Sequence, residues 1–94
     1  MFTDDRYLTC GIQTRIPSAL QMLIWNFIDT MPEPKDYLQV FRLSVEDGKQ
    51  RIEHMQEEPE FEKTYVFPME EPIYEKIFVI DDGEHSTMLL AEEY

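Results

Sequence analysis

The sequence predicts an α+β fold: one amphipathic helix, about residues 18–31, packed on a curved, mainly antiparallel sheet of about six strands. Three observations carry this. Leu20, Leu23, Ile24, Phe27, Ile28 and Met31 recur at helical spacing and form one apolar stripe. Two Asp-Gly dipeptides, Asp47-Gly48 and Asp82-Gly83, each separate two β-forming runs, the strongest short hairpin signal. The other β-rich segments are short and bounded by prolines and acidic turns. One helix on one antiparallel sheet is the economical way to bury both apolar faces.

In chain order, residues 6–12 (Arg-Tyr-Leu-Thr-Cys-Gly-Ile) read as a first strand, with Gly11 a bulge or close approach and Cys10 a small buried apolar residue. The helix follows. Ser18 and Gln21 have the spacing of a capping box, and Pro32 ends the helix because the residue before a proline is pushed out of the α region. Met22 and Trp25 lie opposite the stripe, beside Ser18 and Asp29. That second face is expected either to be covered by a loop or the termini of this chain, or to dock a partner through Met22, Trp25 and Asp29.

Residues 31–36 form a proline-marked loop before a strand over 37–45. A two-residue turn at Asp47-Gly48 sets Glu46 against Lys49, Leu43 against Ile52, Arg42 against Glu53 and Phe41 against His54, apolar on one face and charged on the other. An acidic turn, residues 57–60, leads to a strand with Phe61, Lys63, Tyr65 and Phe67 on one face. A second acidic loop precedes residues 73–80, whose apolar run Ile77–Ile80 fits a strand covered on both sides. The same two-residue turn at Asp82-Gly83 would set Asp81 against Glu84 and Ile77 against Met88, with a last strand over 85–90.

At 94 residues the chain is expected to form a single domain, 1–94, and its 43% hydrophobic content suits a folded globule better than a disordered segment. One cysteine permits no intramolecular disulfide and no Cys-based zinc spacing, which fits a reducing compartment. The N-terminal Met-Phe-Thr-Asp-Asp-Arg is too acidic for a secretory leader, and no apolar run approaches the roughly 20 residues that cross a bilayer. The expected setting is the cytoplasm, with no membrane.

Charge is the strongest global signal. Twenty acids against eight bases give −12, and it is uneven: residues 48–94 hold thirteen acids and four bases. Such a surface repels nucleic-acid phosphates, and there is no basic patch to read them, so direct nucleic-acid binding is not expected. The charge serves solubility, or it attracts a basic partner.

No catalytic signature is present: no nucleophile elbow, zincin helix, P-loop or dinucleotide fingerprint. The densest polar cluster is Asp81, Asp82, Gly83, Glu84, His85, Ser86 and Thr87. It could serve as a metal or acid/base site with His85 and Asp81 as partners, yet turn chemistry alone accounts for Asp82-Gly83. His54 falls on the face with Leu43 and Ile52, where a hydrogen-bonded, half-buried histidine is expected. No cofactor and no metal are expected.

The helix Ile16-Pro17 through Leu20-Gln21, Trp25-Asn26 and Ile28-Asp29, the strand Asp36-Tyr37-Leu38-Gln39-Val40-Phe41 with Leu43-Ser44-Val45-Glu46-Asp47-Gly48, and the ending Ile80 to Leu90 together resemble a small family. It is a domain-of-unknown-function family of acidic proteins named for staphylococcal members and found in related Gram-positive bacteria. The resemblance implies a bacterial protein of about this length, and it brings no activity, cofactor or site residue. With it, the sequence points to a non-enzymatic interaction or regulatory module whose partner is a protein. The alternatives are a metal-dependent or acid/base enzyme at Asp81–Thr87, and an acidic nucleic-acid mimic that binds a basic protein.

Overall fold

The computed structural model describes all 94 residues. Its elements are β1 (Asp5–Leu8), α1 (Cys10–Arg15), α2 (Ser18–Thr30), β2 (Leu38–Glu46), β3 (Lys49–Gln56), β4 (Phe61–Phe67), β5 (Glu75–Asp81) and β6 (His85–Leu90), followed by a 3₁₀ turn (Ala91–Glu93). The six strands form one open sheet in the order β1-β6-β5-β2-β3-β4. Every neighbouring pair is antiparallel except β1 and β6, which run parallel. The expected α+β arrangement of six mainly antiparallel strands under a helix is therefore present. No helix is long and apolar enough to cross a membrane.

The first strand is shorter than the sequence suggests. It ends at Leu8, and Cys10, Gly11 and Ile12 belong to α1. The reason is local. Thr9 sits in extended geometry and its hydroxyl accepts the Ile12 N–H at 3.3 Å, a helix N-cap. Cys10 is exposed and not a core residue. Gly11 is the close approach expected: a Cβ there would lie 2.7 Å from the Glu93 carboxyl. Glu93 accepts from the Thr9 hydroxyl at 2.6 Å, the Gly11 N–H at 3.2 Å and the Leu90 N–H at 2.8 Å. The Thr9 hydroxyl and the Leu90 N–H hold its carboxyl below the ordinary glutamate range.

This tie between the 3₁₀ turn and α1 can be tested by a double-mutant cycle. Gly11→Ala is expected to displace Glu93 and lose about 1 kcal/mol of capping, offsetting the roughly 1 kcal/mol by which alanine favours a helix. In a Glu93→Ala background nothing opposes the substitution, so Gly11→Ala should then stabilise. Urea unfolding of the four proteins reads the coupling.

The start of α2 also differs. Pro17 stands at its N-cap and Ser18 is its first helical residue, so there is no capping box. The Gln21 side chain instead donates to the carbonyls of Ile16 at 2.8 Å and Ile12 at 3.4 Å, tying α2 to the end of α1. Met31, in extended geometry, ends the helix ahead of Pro32. Leu20, Ile24, Phe27, Ile28 and Met31 are buried, and Leu23 is half-buried. All but Met31 pack with Phe2, Ile12 and Ile16 against Phe41, Leu43, Ile52, Ile77, Val79, Met88 and Leu90 of the sheet, one continuous core.

The β2–β3 register is the one expected, with Glu46 opposite Lys49 and Phe41 opposite His54. Asp47 and Gly48 adopt the positive φ values, 51° and 75°, of a type I′ turn. The β5–β6 register is not: Asp81 pairs with Ser86 and Ile77 with Leu90. The Asp82 carboxylate takes the N–H groups of Glu84 at 2.9 Å and His85 at 3.0 Å, which widens the turn. The slip is by two residues, so every side chain keeps its face.

A polar seam runs through the core. Gln39, His54 and Gln56 are buried. The His54 Nε2 is 2.7 Å from Gln39 Oε1, and the Gln39 amide donates to Gln56 Oε1 at 2.7 Å. The ring of His54 stacks on Phe41 at 4.2 Å and meets the edge of Phe61 at 5.2 Å. His54 is thus hydrogen-bonded as expected, and wholly rather than half buried.

Candidate functional site

Three places are candidates: the Asp81–Thr87 turn, the outer side of α2, and the sheet face that no helix covers.

At the turn, the polar side chains are engaged in structure. Buried Asp81 accepts the Phe2 N–H at 2.7 Å and the Gly83 N–H at 2.8 Å. Burial works to raise its carboxyl, but those N–H groups outweigh it and hold the group below the ordinary range. Buried Ser86 donates to Asp4 at 2.5 Å. Asp82 is also held low, by the backbone N–H groups of His85 and Glu84. His85 lies 3.2 Å from Asp82 and edge-on to Tyr7 at 5.0 Å. Glu84 is exposed. The cluster therefore fixes the N-terminal segment and shapes a hairpin tip. No three His, Cys, Asp or Glu side chains stand close enough together to hold a metal ion.

On the outer side of α2, Met22 is 72% exposed. Trp25 is half-buried, because the Arg6 guanidinium lies 4.5 Å over its ring. Arg6 is held there by both carboxylate oxygens of Asp29, at 2.5 and 3.3 Å, and by the Phe2 carbonyl at 3.1 Å. The N-terminal segment thus covers Trp25, while Met22 stays open. A shallow cleft of about 720 Å³ is lined by these residues with Ala19, Leu23 and Asn26. Arg6→Ala should remove the cation–π cover and expose the indole, at a cost of about 1 kcal/mol. A red shift of the single-tryptophan emission, with an unchanged fold by circular dichroism, is the expected result.

The third candidate was not singled out from sequence. The odd-numbered residues of β2 (Gln39, Phe41, Leu43) are buried in the core, so Leu38, Val40 and Arg42 face the other way. Pairing carries that face across the sheet. One row reads Glu62, Met55, Val40, Phe78, Leu89, and the next Leu38, Ile80, Thr87, Tyr7. Beyond them a charged row reads Thr64, Glu53, Arg42, Lys76. The outer face of β5 is therefore not covered as a buried run would require: Ile77 and Val79 are buried, whereas Phe78 and Ile80 are only half-buried.

At the β2–β3–β4 end the apolar rows open into a groove of about 730 Å³. Leu38, Val40 and Met55 form its floor with Tyr37 beside them, and Asp36, Glu57, Glu58, Glu60 and Glu62 form its rim. Buried Gln56 pins the two acidic loops to the floor: its Oε1 accepts the Asp36 N–H at 2.9 Å, and its amide donates to the carbonyls of Pro34 at 3.3 Å and Pro59 at 2.8 Å. The sequence signal was available. β2 has apolar residues of both parities at Val40 and Phe41, which a strand buried on one face does not need.

Together these features define a class: a small α+β protein with its helices on one face of a single open sheet, and two open grooves on its surface. The chain belongs to the family described as "Staphylococcal protein of unknown function (DUF960)", whose model matches residues 5–93. Among solved structures it is similar to a crystal structure of a protein of unknown function from Enterococcus faecalis, 31% identical, with a TM-score of 0.86 over 97% of this chain and 91% of that one. No curated protein matches.

Proposed function

We propose that this protein is a non-enzymatic protein-interaction module, acting in the cytoplasm, and that it docks its partner on the apolar half of the helix-free sheet face. One observation carries the reading: Leu38, Val40, Met55, Phe78 and Ile80 stand side by side on a face no helix covers, and each is only half-buried. Contiguous exposed apolar surface on a folded domain marks an interaction site. The test is affinity capture from a Gram-positive bacterial lysate with wild type, Val40→Glu, and Thr64→Glu on the charged half of the same face. Recovery that is lost with Val40→Glu and kept with Thr64→Glu supports the reading. Equal recovery by all three sinks it.

A second docking surface on the outer side of α2, through Met22, Trp25 and Asp29, is favoured by the exposure of Met22 beside the 720 Å³ cleft. A Met22→Ala, Trp25→Ala variant in the same capture separates the two faces, because it leaves the sheet untouched.

A further inference from the structure

The groove also says what kind of partner fits. Resting on the docking reading above, we infer that its occupant is a basic amphipathic segment of another protein, with apolar side chains on the floor and lysine or arginine against the rim.

The apolar floor comes first: Leu38, Val40 and Met55 line a cavity large enough to take several side chains. The rim then selects by charge. Five carboxylates and one base, Arg42, line the groove. None of the five rim acids is in an ion pair, whereas Glu46 and Glu53, on the charged half of the same face, are matched by Arg51 and Arg42. Rim charge without an internal counter-charge is complementary to a cationic partner and raises its association rate.

The rim is also pre-positioned. Gln56 holds both acidic loops, and Asp36 accepts the Glu58 N–H at 3.2 Å, so little ordering remains when a ligand arrives. The other occupant fits less well. A second copy docked groove to groove would set five acids against five acids.

The test uses the full chain and three short fluorescent peptides: alternating leucine and lysine, leucine and glutamate, and serine and lysine. Anisotropy titration should show binding of the leucine–lysine peptide alone, weakening as salt rises. Reversing the rim with Glu57→Lys, Glu58→Lys and Glu60→Lys should weaken it by at least about tenfold, and so should the floor variant Val40→Thr, Met55→Thr (about 1.4 kcal/mol per tenfold). The same charge change placed elsewhere, Glu70→Lys, Glu71→Lys and Glu84→Lys, should leave most of the affinity.

Equal binding of the serine–lysine peptide would reduce the effect to bulk charge and overturn the inference. So would indifference to rim reversal, or equal weakening by the distant triple. Self-association through this face, seen by analytical ultracentrifugation and abolished by Val40→Glu, would assign it to a second copy instead. If the lysate capture depends on Val40 but no peptide binds, the docking reading stands and the basic-segment inference fails. If neither depends on Val40, the docking reading itself falls.

Discussion

Lowering the pH from 7.5 to 5 should destabilise the fold by about 2 kcal/mol through His54 alone. The ring is fully buried between Phe41 and Phe61. The Gln39 amide nitrogen is committed to Gln56 Oε1 and the Asp36 carbonyl, so its oxygen must accept from His54. That network assigns the proton to Nε2 and leaves the Nδ1 lone pair without a partner. Protonation would place a charge and an unmatched N–H inside the core, and burial accordingly lowers the group from 6.5 to about 4.

The direction follows from linkage. As the pH falls, the unfolded chain takes up its proton first, near 6.5, while the folded chain resists until about 4. Stability is therefore complete above 6.5 and drains away between 6.5 and 4. Asp81, Asp82 and Glu93 are shifted downward, so stability from them is present above the ordinary carboxylate values and is lost as pH falls through their folded values. Most of that loss lies at lower pH. Easing of the repulsion among twenty acids works in the opposite direction. Comparison with His54→Gln, which keeps an amide donor but does not titrate, cancels both effects. The expected result is a wild-type drop in urea stability between pH 7.5 and 5 that exceeds the variant's by about 2 kcal/mol. Parallel profiles would rule His54 out.

What the sequence revealed and what it hid divide along physical lines. The helix and the β2–β3 hairpin were legible because their signals are local: a 3.6-residue period in one, and in the other a turn whose φ values only a few residue types adopt. The family was legible because the quoted motifs span nearly the whole chain. The parallel pairing of β1 with β6 was not, since strands about 80 residues apart in sequence carry no local mark of each other. α1 was hidden for a related reason. Thr9-Cys10-Gly11-Ile12 reads as β-forming, and what makes it helical is a capping hydroxyl together with the distant Glu93 carboxylate.

The β5–β6 slip came from a side chain taking over backbone hydrogen bonds, which an Asp-Gly signal does not encode. The candidate sites divide in the same way. The Asp81–Thr87 cluster was visible as composition, but its engagement with Phe2 and Asp4 depends on tertiary contact. The sheet-face groove needed the register of three strands to bring Leu38, Val40 and Met55 beside acids from two separate loops.

Phe41→Ala should be among the most damaging single substitutions, at about 4 kcal/mol. Phe41 is fully buried on β2, a strand paired on both sides, opposite His54 on β3 and Ile77 on β5. Truncation leaves a cavity where neither neighbouring strand can collapse, and it removes the face on which the His54 ring stacks. Phe78 provides the contrast. It is one position off Phe41 in the pairing and points to the open face, where it is half-buried, with Tyr94 edge-on at 5.5 Å. Phe78→Ala should cost about 2 kcal/mol or less, because its removal exposes neighbours to water and leaves no sealed cavity.

The two substitutions should also differ in pH response. With Phe41 gone, water can reach the imidazole, its proton affinity should move back toward 6.5, and the acid-dependent loss of stability should shrink. With Phe78 gone, that loss should remain at its wild-type size. Urea unfolding of both variants at pH 7.5 and 5 reads all four values. Equal costs for Phe41→Ala and Phe78→Ala would mean that both sheet faces are core, and would remove the basis for docking on the open one.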